Sequence, residues 1–249
     1  MPSRVRFGFA IILAALVLAG CLAIIAQAAA AQTAPPAADT GAPTAEQRLE
    51  ALLTAMGGRE RWAGVRAMRV VATHWSAGRA APNANVIWND FATPKVRIEA
   101  QGGGLDRVRA ITDGAGWRRD EGKPVEAMTA EAVKDDANWW EGNVYRTLHR
   151  LAARDPALSV RLGADGILEV LRADGTRLNW YRLNRVGEPI QFGTGEIAAG
   201  TVFGPLAEGP GGVRYPRWGA RPDGTWRYEI REIATYAGPP PVSFAPPAG

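Results

Sequence analysis

One cysteine, two histidines and few serines leave this 249-residue chain short of the side chains that most covalent and metal chemistry uses. The one thiol, Cys21, lies inside an N-terminal apolar run. If that run is removed, or the cysteine acylated, the folded part carries no thiol, which excludes disulfides, cysteine-ligated metal and thiol catalysis. His74 and His149 are far apart in the chain and have no third imidazole to complete a local metal motif. There is no G-x-S-x-G elbow. Ser76 shares a strand face with His74, yet residues i and i+2 on a flat strand do not present a nucleophile to a base that a third group orients. His74 is therefore read as structural or cavity-lining. Asp135 and Asp136, with Glu131 and Glu141, read as the solvated side of a helix rather than as a hydrolytic carboxylate pair. Gly102-Gly103-Gly104 opens no helix and precedes no lysine, so it is a turn and not a phosphate loop. No catalytic residue, metal or cofactor is expected.

Charge of one sign is also scarce. The net charge is +4, and Arg4 and Arg6 fall in the N-terminal segment, leaving 4 − 2 = +2 for the body. Its arginines alternate with apolar residues, as in Arg227-Tyr228-Glu229-Ile230-Arg231, the pattern of a solvated strand face. With no basic cluster, no nucleic-acid partner is expected. What the chain does have is nine tryptophans, large flat side chains that either fill a β core or line an apolar cavity.

Residues 1–31 begin with Arg4 and Arg6 and run apolar from Phe7 to Ala26, which reads as an export signal. Three fates stay open. Leu18-Ala19-Gly20-Cys21 matches the lipobox of bacterial lipoproteins, where Cys21 would be acylated. Ala29-Ala30-Ala31 offers an ordinary A-x-A cleavage site instead, and the apolar run approaches the ~20 residues that an uncleaved membrane span needs. The expected location is exported, either periplasmic or anchored to the outer membrane, with membrane association through Cys21 or the N-terminal segment. Residues 32–43 form a Pro/Ala linker.

The body, 44–237, alternates between the two hydrophobic periods. Thr44-Ala45-Glu46-Gln47 is a capping box, followed by Leu49, Leu52, Leu53 and Met56 at helical spacing and stopped by Gly57-Gly58. From Ala67 the period becomes two: Met68, Val70, Ala72 and His74 share a face, and further strands follow at 85–91, 95–100 and 107–112. Thr129 to Arg154 is helical again and holds Trp139-Trp140, a pair that can pack on the sheet, cap a cavity or rest at a membrane interface. Ser159 to Asn184 then reads as a three-stranded meander turned at Asp165-Gly166 and Asp174-Gly175, and the rest of the chain is expected to be organised around it. Short strands follow, and in 225–233 Trp226, Tyr228 and Ile230 face one way. The tail 238–249 is proline-rich and cannot be a central strand, though Val242 and Phe244 can tuck into the body. Two helices between two sets of strands are the natural cover for an apolar sheet face, and one core of this size is ordinary for the length.

This order of elements resembles the LolA/LolB-like lipoprotein carriers and their envelope relatives. The likeness runs through Met56-Gly57-Gly58, the strand from Met68, Asp113-Gly114 with Trp117, Ala164-Asp165-Gly166, Tyr215-Pro216, Asp223-Gly224-Thr225-Trp226, and Phe244 with Pro246. It implies an α+β fold: a strongly curved antiparallel β-sheet, or half-open barrel, with a helical lid over an apolar hollow that accepts acyl chains. The inward residues it implies are Met68, Val70, Trp88, Val96, Ile98, Trp117, Met128, Trp139, Trp140, Trp180 and Trp226. No particular arginine here matches the lid-contacting arginine of those carriers. The function expected is non-enzymatic binding of an acyl chain of a lipid or lipoprotein. The alternative is a structural or assembly protein of the envelope whose hollow is filled by its own tryptophans.

Overall fold

The computed structural model describes residues 41–247. The export segment, Cys21 and nearly all of the linker lie outside the described residues.

Helix α1 (Ala45–Ala55) starts as its capping box dictates: Thr44 N donates to Gln47 Oε1 at 2.8 Å and Gln47 N to Thr44 Oγ1 at 3.2 Å. It stops at Gly57, whose φ of 110° and close approach to the Gly212 carbonyl leave no room for a Cβ. A short helix α2 (Arg59–Ala63) follows and buries Trp62. Next come β1 (Ala67–Ser76), β2 (Asn83–Asp90), β3 (Lys95–Gly102), β4 (Leu105–Thr112), β5 (Ala115–Asp120) and β6 (Glu126–Ala127). Helices α3 (Ala130–Glu141) and α4 (Val144–Ala152) interrupt the strands. The remainder is β7 (Leu158–Leu162), β8 (Leu168–Arg172), β9 (Arg177–Leu183), β10 (Pro189–Gly193), β11 (Thr201–Phe203), β12 (Leu206–Glu208), β13 (Arg214–Pro216), β14 (Trp218–Ala220) and β15 (Trp226–Tyr236).

Among the described residues, thirteen of these strands form one antiparallel sheet in the order β6-β5-β4-β3-β2-β1-β15-β14-β11-β10-β9-β8-β7, while β12 and β13 pair separately. The sheet is curved and does not close, because β6 and β7 remain its two edges. This is the α+β, half-open architecture that the resemblance implies. Its centre is the long β1–β15 pairing, not the Ser159–Asn184 meander, which ends at the edge strand β7. The chain leaves one edge at β6 and re-enters at the other edge at β7, so the segment between them must cross a face of the sheet. That segment is α3 and α4, which is why the helices become the lid.

Four Asp-Gly pairs join consecutive strands of the sheet, at 113–114, 165–166, 174–175 and 223–224. Asp113 and Asp165 take φ of 49° and 57° ahead of their glycines, the two positive values that a tight hairpin with the strands' own twist requires.

The main core lies between the inner face of the sheet and α1, α2 and α4. Leu52, Leu53 and Met56 meet Met68, Leu148, Leu168, Val170 and Tyr181 there, all at most 1% exposed. Trp62 stacks on Tyr145, with centroids 5.9 Å apart, and its Nε1 donates to Met56 O. A smaller cluster under α3 joins Val96 and Ile111 to Val133 and Trp140. A third lies on the outer face, where Phe244 of the tail covers Ala110 and Trp117.

Candidate functional site

Alternation along the strands sorts side chains between the two faces. On β1, Val70 pairs with Ile87 of β2 and Ile233 of β15, Ala72 with Ile230, and His74 with Tyr228. These residues face the helices. The core helices α1 and α2 fill the hollow at one end only, and toward the other end a cavity of about 980 Å³ remains, partly open to solvent. Val70, Ile87, Phe192 and Ile230 form much of its apolar wall, and the α3–α4 junction, from Asn138 to Tyr145, roofs it. Its mouth carries Arg172, Arg177, Glu196 and Arg221 from the turns at that end of the sheet. The volume and the apolar wall with a few polar groups are those of a small-molecule site.

Polar groups inside the cavity are neutral. His74 sits edge-on to Trp226 at 5.5 Å and beside Tyr228 at 5.9 Å, and burial pushes its pKa down to about 4. An imidazole held neutral at pH 7, with no hydrogen-bond partner among the described residues, has nothing to orient it as a general base. Burial also pushes the Tyr228 and Tyr145 hydroxyls up from their ordinary value. Asn89 is 1% exposed and lines the cavity, and its Oδ1 has no hydrogen-bond partner. At the junction, Asn143 Oδ1 accepts from Tyr145 N and Arg146 N, which fixes the start of α4. Arg146 lies over the Trp140 ring at 3.7 Å and pairs with Glu141, and burial lowers its pKa to about 10. Together these contacts hold the roof. Among the described residues, no group of three or more His, Asp or Glu is placed to hold a metal ion.

The residues expected to face inward divide three ways. Val70, Trp139 and Trp226 line the cavity, with Trp139 41% exposed at the rim. Met68, Val96, Ile98, Met128 and Trp140 are on the inner side but belong to the packed clusters under the helices, and Trp140 Nε1 donates to Asp90 O at 2.7 Å. Trp88, Trp117 and Trp180 are on the other face, which corrects the expectation for them. Trp88 pairs with Arg69 and Arg97, outward positions, and lies against Tyr236 and beneath the Arg69 guanidinium. Trp117 donates to Phe244 O at 2.7 Å, under the tail. Trp180 has as strand neighbours Asn179 and Tyr181, whose polar atoms bond to Thr147 and Val144 on the helix side, so its own ring points away, against Gly193 and Gly200. In each case the resemblance implied the interior, and strand parity decided otherwise.

Asp136 is a second correction. It is buried rather than solvated, and its carboxylate pairs with Arg109 at 2.9 Å, tying α3 to β4. The cavity residues not anticipated were Ile87, Asn89, Phe192, Arg172, Arg177 and Arg221. Ile87 and Asn89 were within reach, since both share the inward parity of β2.

No protein-family model matches this sequence, and no curated protein matches it. Among solved structures, the chain is similar to a DUF1329 family protein from Desulfovibrio piger, at 9% identity and a TM-score of 0.36, over 76% of this chain and 91% of that one. It is also similar to MucB in its complex with MucA(peri), at 14% identity and a TM-score of 0.24, over 82% of this chain and 60% of that one. At these TM-scores neither likeness carries an argument about function.

Proposed function

We propose that this protein is a non-enzymatic component of the cell envelope that binds an acyl chain of a lipid or lipoprotein in the cavity between the sheet and its helices. The observation that carries this reading is the 980 Å³ hollow itself, walled by Val70, Ile87, Phe192 and Ile230 and left unfilled by the protein's own side chains. An apolar hollow of that size gains about 25 cal/mol for each Å² of apolar surface a guest removes from water. The structural alternative requires tryptophans that fill the hollow, and three of those expected to do so lie on the outer face. The N-terminal arginines and apolar run support export, and Cys21 remains the proposed anchor.

Quenching by a brominated fatty acid tests this. Trp139 and Trp226 line the cavity and Trp218 does not. Saturable quenching that falls in Trp139→Phe and Trp226→Phe, and not in Trp218→Phe, is the expected result. Absence of saturable quenching in delipidated protein overturns the reading.

A further inference from the structure

Two turns at the cavity mouth have the same sequence pattern and the same internal bonding. Arg172-Ala173-Asp174-Gly175-Thr176 joins β8 to β9, and Arg221-Pro222-Asp223-Gly224-Thr225 joins β14 to β15. In both, Gly N donates to the Arg carbonyl, at 2.9 and 3.0 Å. In both, the aspartate accepts from the threonine backbone N–H, at 2.9 and 3.0 Å, and from its hydroxyl, at 2.6 and 2.7 Å. These bonds hold both carboxyls below the usual carboxylate range and turn them toward the threonine rather than toward the arginine. The strand directions bring the two turns to one end of the sheet: β9 and β15 both begin there, with three antiparallel steps between β9 and β14.

The consequence is a pair of guanidinium groups on one mouth without carboxylate partners. Arg172 Nη1 donates only to neutral oxygens, Thr176 Oγ1 at 3.3 Å and Arg177 O at 3.1 Å. The Arg221 side chain makes no hydrogen bond or ion pair among the described residues, and it is exposed. Arg177, also in the lining, differs: it is paired with Glu169 at 3.0 Å, a carboxylate it shares with Arg161, and donates to Gly195 O at 2.9 Å, so its donors are already engaged. Glu196 is the one carboxylate among the cavity-lining residues, against three arginines. Each arginine feels the charge of its own turn's aspartate, Asp174 or Asp223, but neither is hydrogen-bonded to a carboxylate, so the planar donor face of each stays open. A cavity that is apolar inside and carries two such guanidinium groups at its entrance matches a molecule with an apolar chain and an anionic end.

We infer that the two R-x-D-G-T turns form a clamp, Arg172 and Arg221, for the carboxylate or phosphate headgroup of an anionic single-chain amphiphile whose chain occupies the cavity. This rests on the acyl-chain reading and adds the class of headgroup. The repeated turn supplies the rigidity: each Asp-Thr bond set fixes its turn without drawing the arginine into an internal ion pair.

The test compares four sixteen-carbon ligands on the delipidated full chain: palmitate, lysophosphatidylglycerol, lysophosphatidylcholine and hexadecanol. The two anionic ligands are expected to bind at least about tenfold more tightly than the neutral alcohol, with the advantage shrinking as salt rises. R221Q, which breaks no hydrogen bond or ion pair among the described residues, and R172Q/R221Q are expected to remove most of that advantage while leaving hexadecanol binding unchanged. R185Q, on an exposed turn at the other end of β9, keeps it. Preference for palmitate alone, or for both anions, supports the clamp and separates a carboxylate from a phosphate source. Equal binding of charged and neutral ligands, or an advantage that survives R172Q/R221Q, overturns the clamp and leaves the acyl-chain reading intact. No binding of any of the four overturns both.

Discussion

His74 is held neutral by the aromatic wall around it, and this has a consequence for stability. Its pKa falls from 6.5 to about 4 on folding. Between those values the unfolded chain takes up a proton that the folded chain refuses. Stability present above pH 6.5 is therefore lost as pH falls, at up to about 1.4 kcal/mol per pH unit from this residue. His149, also lowered by burial, acts in the same direction. Chemical denaturation from pH 7 to 4 is expected to give a shallower decline for His74→Gln than for the wild type. Asn89 makes the opposite case. Its Oδ1 is buried and unpaired, and a buried polar atom without a partner costs about 1–3 kcal/mol. Asn89→Leu is expected to raise the melting temperature of the delipidated protein. Trp180 is fully buried outside the cavity and backs its wall at Gly193, Gly195 and Gly200, so Trp180→Ala is expected to cost about 3–5 kcal/mol of stability, read as a lowered urea midpoint of the delipidated protein. Had the residue lined the cavity, loss of ligand would have come first.

At the scale of elements, much was legible because local chemistry dictates it. The Thr44 capping box, the Gly57-Gly58 stop and the four Asp-Gly turns follow from hydrogen-bond and φ requirements that two to four residues satisfy among themselves. The inward sets Met68-Val70-Ala72-His74 and Trp226-Tyr228-Ile230 follow from a period of two. What was not legible depended on partners distant in the chain. Trp117 could be placed only through the register that sets it opposite Ala110, and Asp136 only through Arg109. The tail divides between the two: its exclusion from the sheet and the tucking-in of Phe244 were expected, while its seat on Trp117 at the outer face, with Arg97 donating to Ser243 O at 3.0 Å, depends on contacts distant in the chain. Removing residues 239–249 is expected to cost about 2 kcal/mol, since it uncovers one large aromatic contact. Urea denaturation of the truncated chain checks this; an unchanged midpoint would mean that the tail lies on the surface without stabilising it.

For the whole molecule, topology does what no single segment does. A sheet with two free edges, crossed by helices that run from β6 to β7, encloses a hollow on the crossed face. The α1, α2 and α4 side chains fill one end, and the other end stays hollow. The clamp arginines were not anticipated: each sits in a five-residue turn whose repetition gains meaning only when the two turns meet at one mouth, and that depends on how many antiparallel steps separate β9 from β15. Occupation of the hollow by an acyl chain is checked by native mass spectrometry of the protein purified from its native cells. One bound single-chain or lipid species per protein is expected, lost in Ile87→Trp, which fills the wall of the cavity. A ligand-free mass for the wild type, unchanged when acyl lipids are added, would contradict it.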